Sequence, residues 1–385
     1  SAKNAIGTEM KSYNYEKIYE GEQGADIVLT IDEVIQHYLE KHLETAVTEN
    51  FVAERGVAIA MDPNTGDVLG MAVKGDFDPN NPYEIDEDVA FLLEDQLQKH
   101  EITEEEYNQA IQDARQLQWR NKAVSDPYEP GSVFKVFTAA AALEEQVADP
   151  DESYFDCIGY TTINGVKIHC NKTTGHGSQT FREGLVHSCN PVFMELGRRL
   201  GWETWQSYSK AFGFFEKTGI DLPGEAAPIQ HADATLSNPV TLANASFGQT
   251  FKVTPIQMIT GLSAVVNGGT LLEPHIVKQI VAADGTVIKN VGRTEVRQVL
   301  SEENSKLIRD MLESVVADGE NKNGYLPGYR LGGKSGTSEK LDPEKIKQEE
   351  ETGQTARIAS YMEFGPVEDP QIIILVLLDE PQTDS

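Results

Sequence analysis

The chain has 385 residues, of which 39% are hydrophobic and 24% are charged, a composition typical of a folded globular protein with one large domain or two. A formal net charge of -30 at pH 7 argues against binding to nucleic acid or directly to anionic lipid headgroups. The longest purely aliphatic run, Ile372 to Leu378, is far too short to cross a bilayer.

The N-terminal part of the chain predicts a polar segment followed by a strand, a helix and a hairpin. Residues 1–25 are weakly patterned and are interpreted as a linker or the end of another domain. Asp26 to Thr30 is a short β-like run, and Asp32 can cap a helix whose apolar positions recur at helical spacing. Gly56 to Met61 and Asp67 to Val73 flank a turn-forming Asp-Pro-Asn-Thr-Gly stretch and predict a hairpin.

A strongly acidic segment follows at about residues 84–118. Its apolar residues Val89, Leu92, Leu93 and Leu97 lie at helical spacing. We therefore expect a helical insertion at the surface, with its charges on a solvated face.

The segment from Tyr128 to Lys135 is the strongest candidate for chemistry. A Pro-Gly pair can sit at the entrance of a helix, which places Ser132 in the first turn and Lys135 on the same face. Burial and the positive end of the helix dipole both favour a neutral amine, which could accept the serine proton. The run from Val136 to Leu143 is apolar almost all round and predicts a buried central helix.

Context is needed to give this pattern weight, because a Ser-x-x-Lys match is expected about once or twice by chance in a chain of this length. Ser207 to Lys210 also fits the pattern. It lacks both the Pro-Gly entrance and the wholly apolar helix, so we prefer Ser132.

The rest of the chain mixes hairpins and helices. Tyr160 to Cys170 alternates around Asn164-Gly165, which is a strong hairpin signal. Residues 178–212 are predicted to be helical, and Gly213 to Gly224 is predicted to be a loop. Further helices are expected at Thr254 to Val266 and Glu302 to Val316, a hairpin at Ile276 to Val291, and strands at Arg330 to Ser335, Arg357 to Glu363 and Ile372 to Leu378. This mixture indicates an α+β fold.

Two further motifs follow Ser132 along the chain. Ser188-Cys189-Asn190 places a second hydroxyl and a carboxamide in a connection between helices. Lys334-Ser335-Gly336-Thr337 comes after two glycines at the expected end of a strand, where small residues let the backbone of a ligand approach closely. Ser12-Tyr13-Asn14 and Lys217-Thr218-Gly219 match the same patterns, but their order and context disfavour them.

In this order, Ser-x-x-Lys, Ser-x-Asn and Lys-Ser-Gly resemble the signature of penicillin-binding proteins and serine β-lactamases. Linked blocks extend the resemblance over nearly the whole chain and point to the monofunctional (class B) transpeptidases: Val28 to Asp32, Met61 to Gly66, Asp126 to Ser132, Thr218 to Glu225, Phe247 to Gln249 and Thr254 to Gln257. The resemblance implies an α+β fold, with a five-stranded antiparallel sheet built from both ends of the chain and covered by helices, beside an all-helical subdomain. It also implies a transpeptidase domain at residues 26–385, preceded by a linker or the remnant of an N-terminal pedestal domain.

The resemblance implies that the protein cross-links peptidoglycan stem peptides ending in D-Ala-D-Ala through a serine acyl-enzyme. In that case Ser132 attacks the penultimate D-Ala carbonyl, and Lys135, held by Asn190, is the base. Ser188 and Lys334 would relay a proton to the departing D-Ala.

The same resemblance assigns the groups that bind the substrate. Ser335, Gly336 and Thr337 would bind the substrate next to the Lys334 charge, with the two hydroxyls on its carboxylate. The backbone N–H groups of Ser132 and Thr337 would form the oxyanion hole. β-Lactams would acylate Ser132, and the resulting acyl-enzyme would deacylate very slowly.

No cofactor is implied, and the expected partners are stem peptides, β-lactams and a membrane-embedded glycosyltransferase bound to the full-length protein. The implied location is the outer face of the cytoplasmic membrane of a bacterium, with an anchoring N-terminal segment absent from this chain. A helix that the family pattern places after the final strand is also missing. Glu339 to Thr355 is longer and more charged than a tight hairpin needs, and we interpret it as a mobile flap.

Two alternatives use the same scaffold. A serine β-lactamase of class A needs a glutamate that activates water, and we find no convincing counterpart of its Glu-x-x-Leu-Asn stretch between Ser132 and Lys334. A non-catalytic β-lactam receptor or cell-wall scaffold with a vestigial site is disfavoured by the complete motifs.

The three cysteines, Cys157, Cys170 and Cys189, lack the C-x-x-C spacing of a zinc site, so we expect no metal despite His176 and two other histidines nearby. They are either unpaired buried thiols, or Cys170 and Cys189 form a redox-sensitive pair whose oxidation distorts the Ser-Cys-Asn turn. A Cys157–Cys170 pair is disfavoured because the two positions do not face each other across the Asn164-Gly165 turn.

Overall fold

A computed structural model describes residues 24–227, 237–319, 324–340, 345–347 and 355–383. The chain divides into a small unit, Ser1–Leu29 with Val277–Val291, and a large unit, Thr30–Ile276 with Gly292–Ser385. Within the described ranges every helix is too short or too polar to cross a lipid bilayer. The expected boundary between a linker and a domain near residue 25 stays a prediction, since most of residues 1–25 lie outside the described ranges.

The elements are numbered in chain order. The first half contains β1 (Asp26–Leu29), α1 (Glu33–Glu49), β2 (Arg55–Met61), β3 (Val68–Lys74), α2 (Glu87–Gln98), α3 (Glu104–Gln118), α4 (Lys122–Ser125), a 3-10 turn (Gly131–Phe134), α5 (Lys135–Glu144), β4 (Tyr154–Cys157), β5 (Tyr160–Ile163), β6 (Val166–His169), β7 (Gly177–Thr180), α6 (Phe181–Val186) and α7 (Asn190–Leu200). The second half contains α8 (Trp202–Ala211), α9 (Pro239–Ala245), α10 (Pro255–Val266), β8 (Thr270–Leu272), β9 (Val277–Val281), β10 (Val287–Asn290), β11 (Glu295–Gln298), α11 (Glu302–Asp318), β12 (Gly332–Glu339), β13 (Arg357–Gly365) and β14 (Ile372–Asp379).

The small unit contains a three-stranded antiparallel sheet in the order β1-β9-β10. The predicted hairpin at Asp284-Gly285 is confirmed as the connection from β9 to β10. Gly285 has φ +84, a left-handed conformation that favours glycine.

The centre of the large unit is a five-stranded antiparallel sheet in the order β12-β13-β14-β2-β3. Both ends of the chain contribute strands, so this part of the predicted α+β fold is confirmed. Side chains alternate between the two faces of β2. Val57 and Ile59 enter the main core, whereas Ala58 and Ala60 on the other face join a second cluster with Leu43 of α1.

The helical part of the large unit surrounds α5, whose residues from Lys135 to Leu143 are all buried. It is not purely helical, because the strand pairs β4–β7 and β5–β6 accompany α6 to α8. The prediction of helix from residue 178 is wrong for β7. The helix begins only after Thr180, whose side chain forms a capping box with Glu183.

The acidic segment at residues 84–118 forms two helices, α2 and α3, as predicted. α3 begins with a capping box between Thr103 and Glu106, and none of its residues is fully buried. Most of the flap expected at residues 339–355 lies outside the described ranges.

Candidate active site

Ser132 lies in the 3-10 turn that leads directly into α5, and Lys135 is the first residue of that helix. The Lys135 Nζ atom is 3.0 Å from Ser132 Oγ. Gly131 has φ +59, and a Cβ atom at this position would lie 2.8 Å from the carbonyl oxygen of Thr337. Glycine is therefore required where the turn approaches β12, and the predicted hydroxyl–amine pair is confirmed as a contact.

Lys135 is held by three further contacts. Its Nζ atom lies 2.6 Å from the carbonyl oxygen of Ser188, 3.1 Å from Ser188 Oγ and 2.7 Å from Asn190 Oδ1. A neutral amine has two N–H groups and one lone pair. It can donate to the Ser188 carbonyl and the Asn190 amide oxygen, and accept a hydrogen bond from the Ser132 hydroxyl.

The environment of Lys135 favours that neutral form. The side chain is fully buried, and burial lowers its pKa well below the usual value, an effect that the nearby Lys334 charge increases. The rings of Phe193 and Phe247 have their centroids 5.5 and 5.9 Å from Nζ. Sequence reasoning missed these two rings, although Phe247 belongs to one of the quoted blocks.

Ser188 lies in the tight turn between α6 and α7 and has φ +53. This left-handed conformation is uncommon for a residue other than glycine and is concentrated at functional sites. Asn190 begins α7, and its Nδ2 atom donates to the backbone carbonyl of His169 at 3.0 Å. The turn therefore presents the Ser188 carbonyl, the Ser188 hydroxyl and the Asn190 amide to one lysine.

The sequence had suggested that the Lys-Ser-Gly motif lies at the end of a strand. The structure places it inside β12 instead. The strand runs on to Glu339 because it pairs residue by residue with β13. A Cβ atom on Gly336 would lie 2.8 Å from the backbone nitrogen of Val133, and Ser338 Oγ donates to the Glu129 carbonyl at 2.6 Å. β12 thus lies directly against the segment that carries Ser132.

This close approach brings together the two segments that carry the predicted oxyanion-hole N–H groups, those of Ser132 and Thr337. Ser335 is half-buried and Thr337 is exposed. β12 is an edge strand of the five-stranded sheet. Such an edge can accept an extended peptide as an additional strand.

Lys334 is fully buried, and its Nζ atom donates to the carbonyl oxygen of Ser335 at 2.8 Å. Burial lowers its pKa to about 7. Its charge lowers the pKa of Lys135 further, so the two lysines are electrostatically linked.

The competing motifs are not part of this site. Ser207 and Lys210 are exposed on α8, and Lys217 is exposed in a loop. Ser12-Tyr13-Asn14 lies outside the described residues.

The cysteines are unpaired and buried, and the sulfurs of Cys170 and Cys189 are 3.9 Å apart. A hydrogen bond with Cys189 lowers the pKa of the Cys170 thiol. The redox pairing of these two residues stays a prediction. Cys157 lies in the same cluster together with His176, although the spacing of the three cysteines had predicted no metal site.

The chain is similar over most of its length to known proteins of one family. A family model described as the penicillin-binding protein transpeptidase domain matches residues 56–385. Stage V sporulation protein D of Bacillus subtilis is 39% identical over 360 residues, which cover 93% of this chain and 50% of that protein. A probable peptidoglycan D,D-transpeptidase of Caulobacter vibrioides is 28% identical over 94% of this chain and 54% of its own length.

Among solved structures, penicillin-binding protein 3 of Mycobacterium tuberculosis in complex with aztreonam has a TM-score of 0.78 and 27% sequence identity. The similarity covers 96% of this chain and 76% of that one. The chain spans about half the length of the curated relatives described above.

Proposed function

Because the chain belongs to the penicillin-binding protein transpeptidase family, as the match over residues 56–385 shows, we propose that it is a peptidoglycan D,D-transpeptidase acting through an acyl-enzyme on Ser132. The observation that carries this proposal is the buried contact of 3.0 Å between Lys135 Nζ and Ser132 Oγ. The name of the Caulobacter relative supports the reaction type, and the aztreonam complex of the Mycobacterium protein supports β-lactam binding.

In the first step, neutral Lys135 accepts the proton of Ser132 while Oγ forms a bond to the penultimate D-Ala carbonyl of a stem peptide. The backbone N–H groups of Ser132 and Thr337 stabilise the oxyanion, each donor contributing about 3 kcal/mol in comparable acyl transfers. The peptide C–N bond then breaks, and Ser188 and Lys334 relay the proton that Lys135 took from Ser132 to the departing D-Ala amine. The result is an ester between the shortened stem peptide and Ser132.

In the second step, the amine of a neighbouring stem attacks this ester. A new amide bond forms between this amine and the acyl carbon, the bond from that carbon to Ser132 Oγ breaks, and a proton of the attacking amine passes by way of Lys135 to Oγ. During both steps Ser335 and Thr337 on β12 hold the ligand carboxylate or the peptide strand beside the Lys334 charge. A β-lactam acylates Ser132 in the same way, and the reaction stops there because its acyl group is not transferred from Ser132 to an amine.

The proposal extends to the setting in which the domain works. The site acts on the outer face of the cytoplasmic membrane, next to a membrane-embedded glycosyltransferase that makes the glycan strands. Support comes from the substrate, which the name of the Caulobacter relative gives as peptidoglycan. The 26–385 range acts as the transpeptidase domain, with α2 and α3 as an insertion in it.

The test combines a label with a substrate. A fluorescent penicillin should label the protein for hours, and a stem pentapeptide incubated with a labelled D-amino acid should exchange its terminal D-Ala for that amino acid. Both signals should disappear in Ser132→Ala and persist in Ser207→Ala. Label that turns over within minutes would instead identify a β-lactamase, and neither label nor exchange would identify a non-catalytic scaffold.

A further inference from the structure

Three cysteines and one histidine converge directly behind the Ser-Cys-Asn turn. The sulfurs of Cys157, Cys170 and Cys189 and a ring nitrogen of His176 all lie within 4.8 Å of one another. In the described part of the chain, this is the set of cysteine, histidine and acidic side chains close enough to share one ion. All three cysteines are at most 3% exposed, and His176 is half-buried.

Two of the distances in this cluster match those of a tetrahedral zinc site. Zinc–sulfur bonds of about 2.3 Å and zinc–nitrogen bonds of about 2.0–2.1 Å place neighbouring sulfurs about 3.8 Å apart and sulfur and nitrogen about 3.5 Å apart. The Cys170 and Cys189 sulfurs are 3.9 Å apart, and Cys170 Sγ is 3.6 Å from His176 Nδ1. Three cysteines and one histidine are also a recurrent ligand set of structural zinc.

The segment between Cys157 and His176 is folded back on itself in a way that brings the ligands together. A Cβ atom on Gly159 would lie 2.0 Å from the carbonyl oxygen of Thr173, and one on Gly175 would lie 2.3 Å from that of Cys157. Both glycines have positive φ, at +92 and +86. Only glycine permits this approach, so the convergence is a built feature of the loop.

The start of a helix is placed to stabilise deprotonated sulfur, the form that binds metal. Cys189 is the N-cap residue of α7, where the helix dipole favours negative charge.

Simpler explanations account for part of this arrangement only. A disulfide would use two of the three sulfurs and leave the third beside it, and buried thiols acting as small apolar residues would not need an imidazole within 3.6 Å. A nearby amide oxygen, that of Asn171, lies 3.0 Å from Cys170 Sγ. Since the two ends of an amide are interchangeable by rotation, its NH2 group can face a thiolate there.

We propose that Cys157, Cys170, His176 and Cys189 bind one zinc ion. Four protein ligands fill a tetrahedral coordination shell, so the ion is structural and takes no part in the acyl transfer. It ties the loop from Cys157 to His176 to the turn that carries Ser188 and Asn190. This proposal is independent of the proposed function, because it is tested by measuring metal content and not activity.

The test is to measure zinc by mass spectrometry of the purified full chain, prepared without chelator, and then to exchange zinc for Co²⁺ and record the absorption spectrum. We expect about one zinc per chain and, with Co²⁺, thiolate charge-transfer bands together with the visible bands of a tetrahedral site. Cys157→Ser, which leaves the Ser-Cys-Asn turn intact, should lose most of the metal. His169→Ala removes an exposed histidine from the same region and should retain it.

Hydrogen exchange gives a readout that does not depend on a variant. Removal of the ion by a chelator should increase amide exchange in residues 157–190 more than in β2 or β14, and added zinc should reverse the increase. The proposal is overturned if the protein, offered zinc, retains none and exposes three titratable thiols. A disulfide between Cys170 and Cys189 in that same preparation would overturn it in favour of the redox pair.

Discussion

At the scale of single residues, the site depends on two lysines that burial pushes towards the neutral form. In the proposed mechanism Lys135 is neutral so that it can accept the Ser132 proton, whereas Lys334 keeps its charge so that it can attract a carboxylate. Burial lowers both pKa values, and the Lys334 charge lowers that of Lys135 further. The positive charge of Lys334 therefore favours the neutral form of Lys135.

The first prediction is a bell-shaped pH dependence of acylation. At low pH Lys135 is protonated, so the rate rises with pH through its lowered pKa. At higher pH Lys334 loses its charge, so the rate falls as the pH passes the pKa of Lys334, about 7. The second-order rate constant for acylation by benzylpenicillin, which reports the free enzyme, measures both limbs. A rate that rose steadily to pH 10 would show that Lys334 acts without its charge.

The second prediction concerns Lys334→Met, which keeps most of the buried volume and removes the charge. Acylation should slow by at least about tenfold, since a group that assists binding and proton transfer is lost. The acid limb should move to higher pH, because the charge that lowers the pKa of Lys135 is gone. Lys217→Met, at an exposed lysine of the competing motif, is the control and should behave like the parent. Acylation of Lys334→Met at the parental rate would show that Lys334 does not contribute to the reaction.

The sequence was sufficient to predict which polar side chains lie together around Lys135, because they occur in short motifs with a fixed order. It did not reveal the left-handed φ of Ser188, which depends on how α6 meets α7. Nor did it reveal the rings of Phe193 and Phe247 near Lys135, since such contacts join distant parts of the chain. The cysteine cluster was missed for the same reason: its ligands come from separate elements and not from one local motif.

At the scale of elements, the site is made by β12 lying against the 3-10 turn. The third prediction is that Gly336→Ala weakens acylation at least about tenfold, because a Cβ atom 2.8 Å from the Val133 nitrogen forces the two segments apart. Gly292→Ala is the matched control, since nothing lies within 4 Å of a Cβ there. Circular dichroism should show both variants folded. If Gly336→Ala reacts like the parent, the close packing of β12 is not needed for acylation.

Elements with strong local signals were predicted well. The Asn164-Gly165 turn forms the hairpin of β5 and β6 with both residues at positive φ, and Thr254 caps α10. The four-residue strands β4 and β7 were missed. They are too short to show a period and exist because they pair with each other across the intervening loop.

At the scale of the whole molecule, the order of the strands in the five-stranded sheet could not be derived from periodicity, since β14 lies between β13 and β2. The five-stranded sheet was predicted from the resemblance to a family, and the buried face of each strand was predicted from its alternating pattern.

The fourth prediction tests this arrangement in β2. Ile59→Ala should lower the free energy of unfolding by about 2–5 kcal/mol, because Ile59 is fully buried between β14 and β3.

The control is Val34→Ala, at a residue that is 64% exposed on α1, and its effect should be within about 0.5 kcal/mol. Urea unfolding followed by circular dichroism measures both variants. Equal stabilities of Ile59→Ala and the parent would mean that this face of the sheet is not part of the core.

The central claim is that Ser132, at the entrance of the buried helix α5 and in contact with Lys135, is the nucleophile. Intact mass spectrometry after reaction with benzylpenicillin, followed by peptide mapping, tests it most directly. The account predicts one adduct per chain, located on the peptide that contains Ser132 and absent from Ser132→Ala. An adduct that persists in Ser132→Ala, or that maps to Ser188 or Ser207, would contradict it.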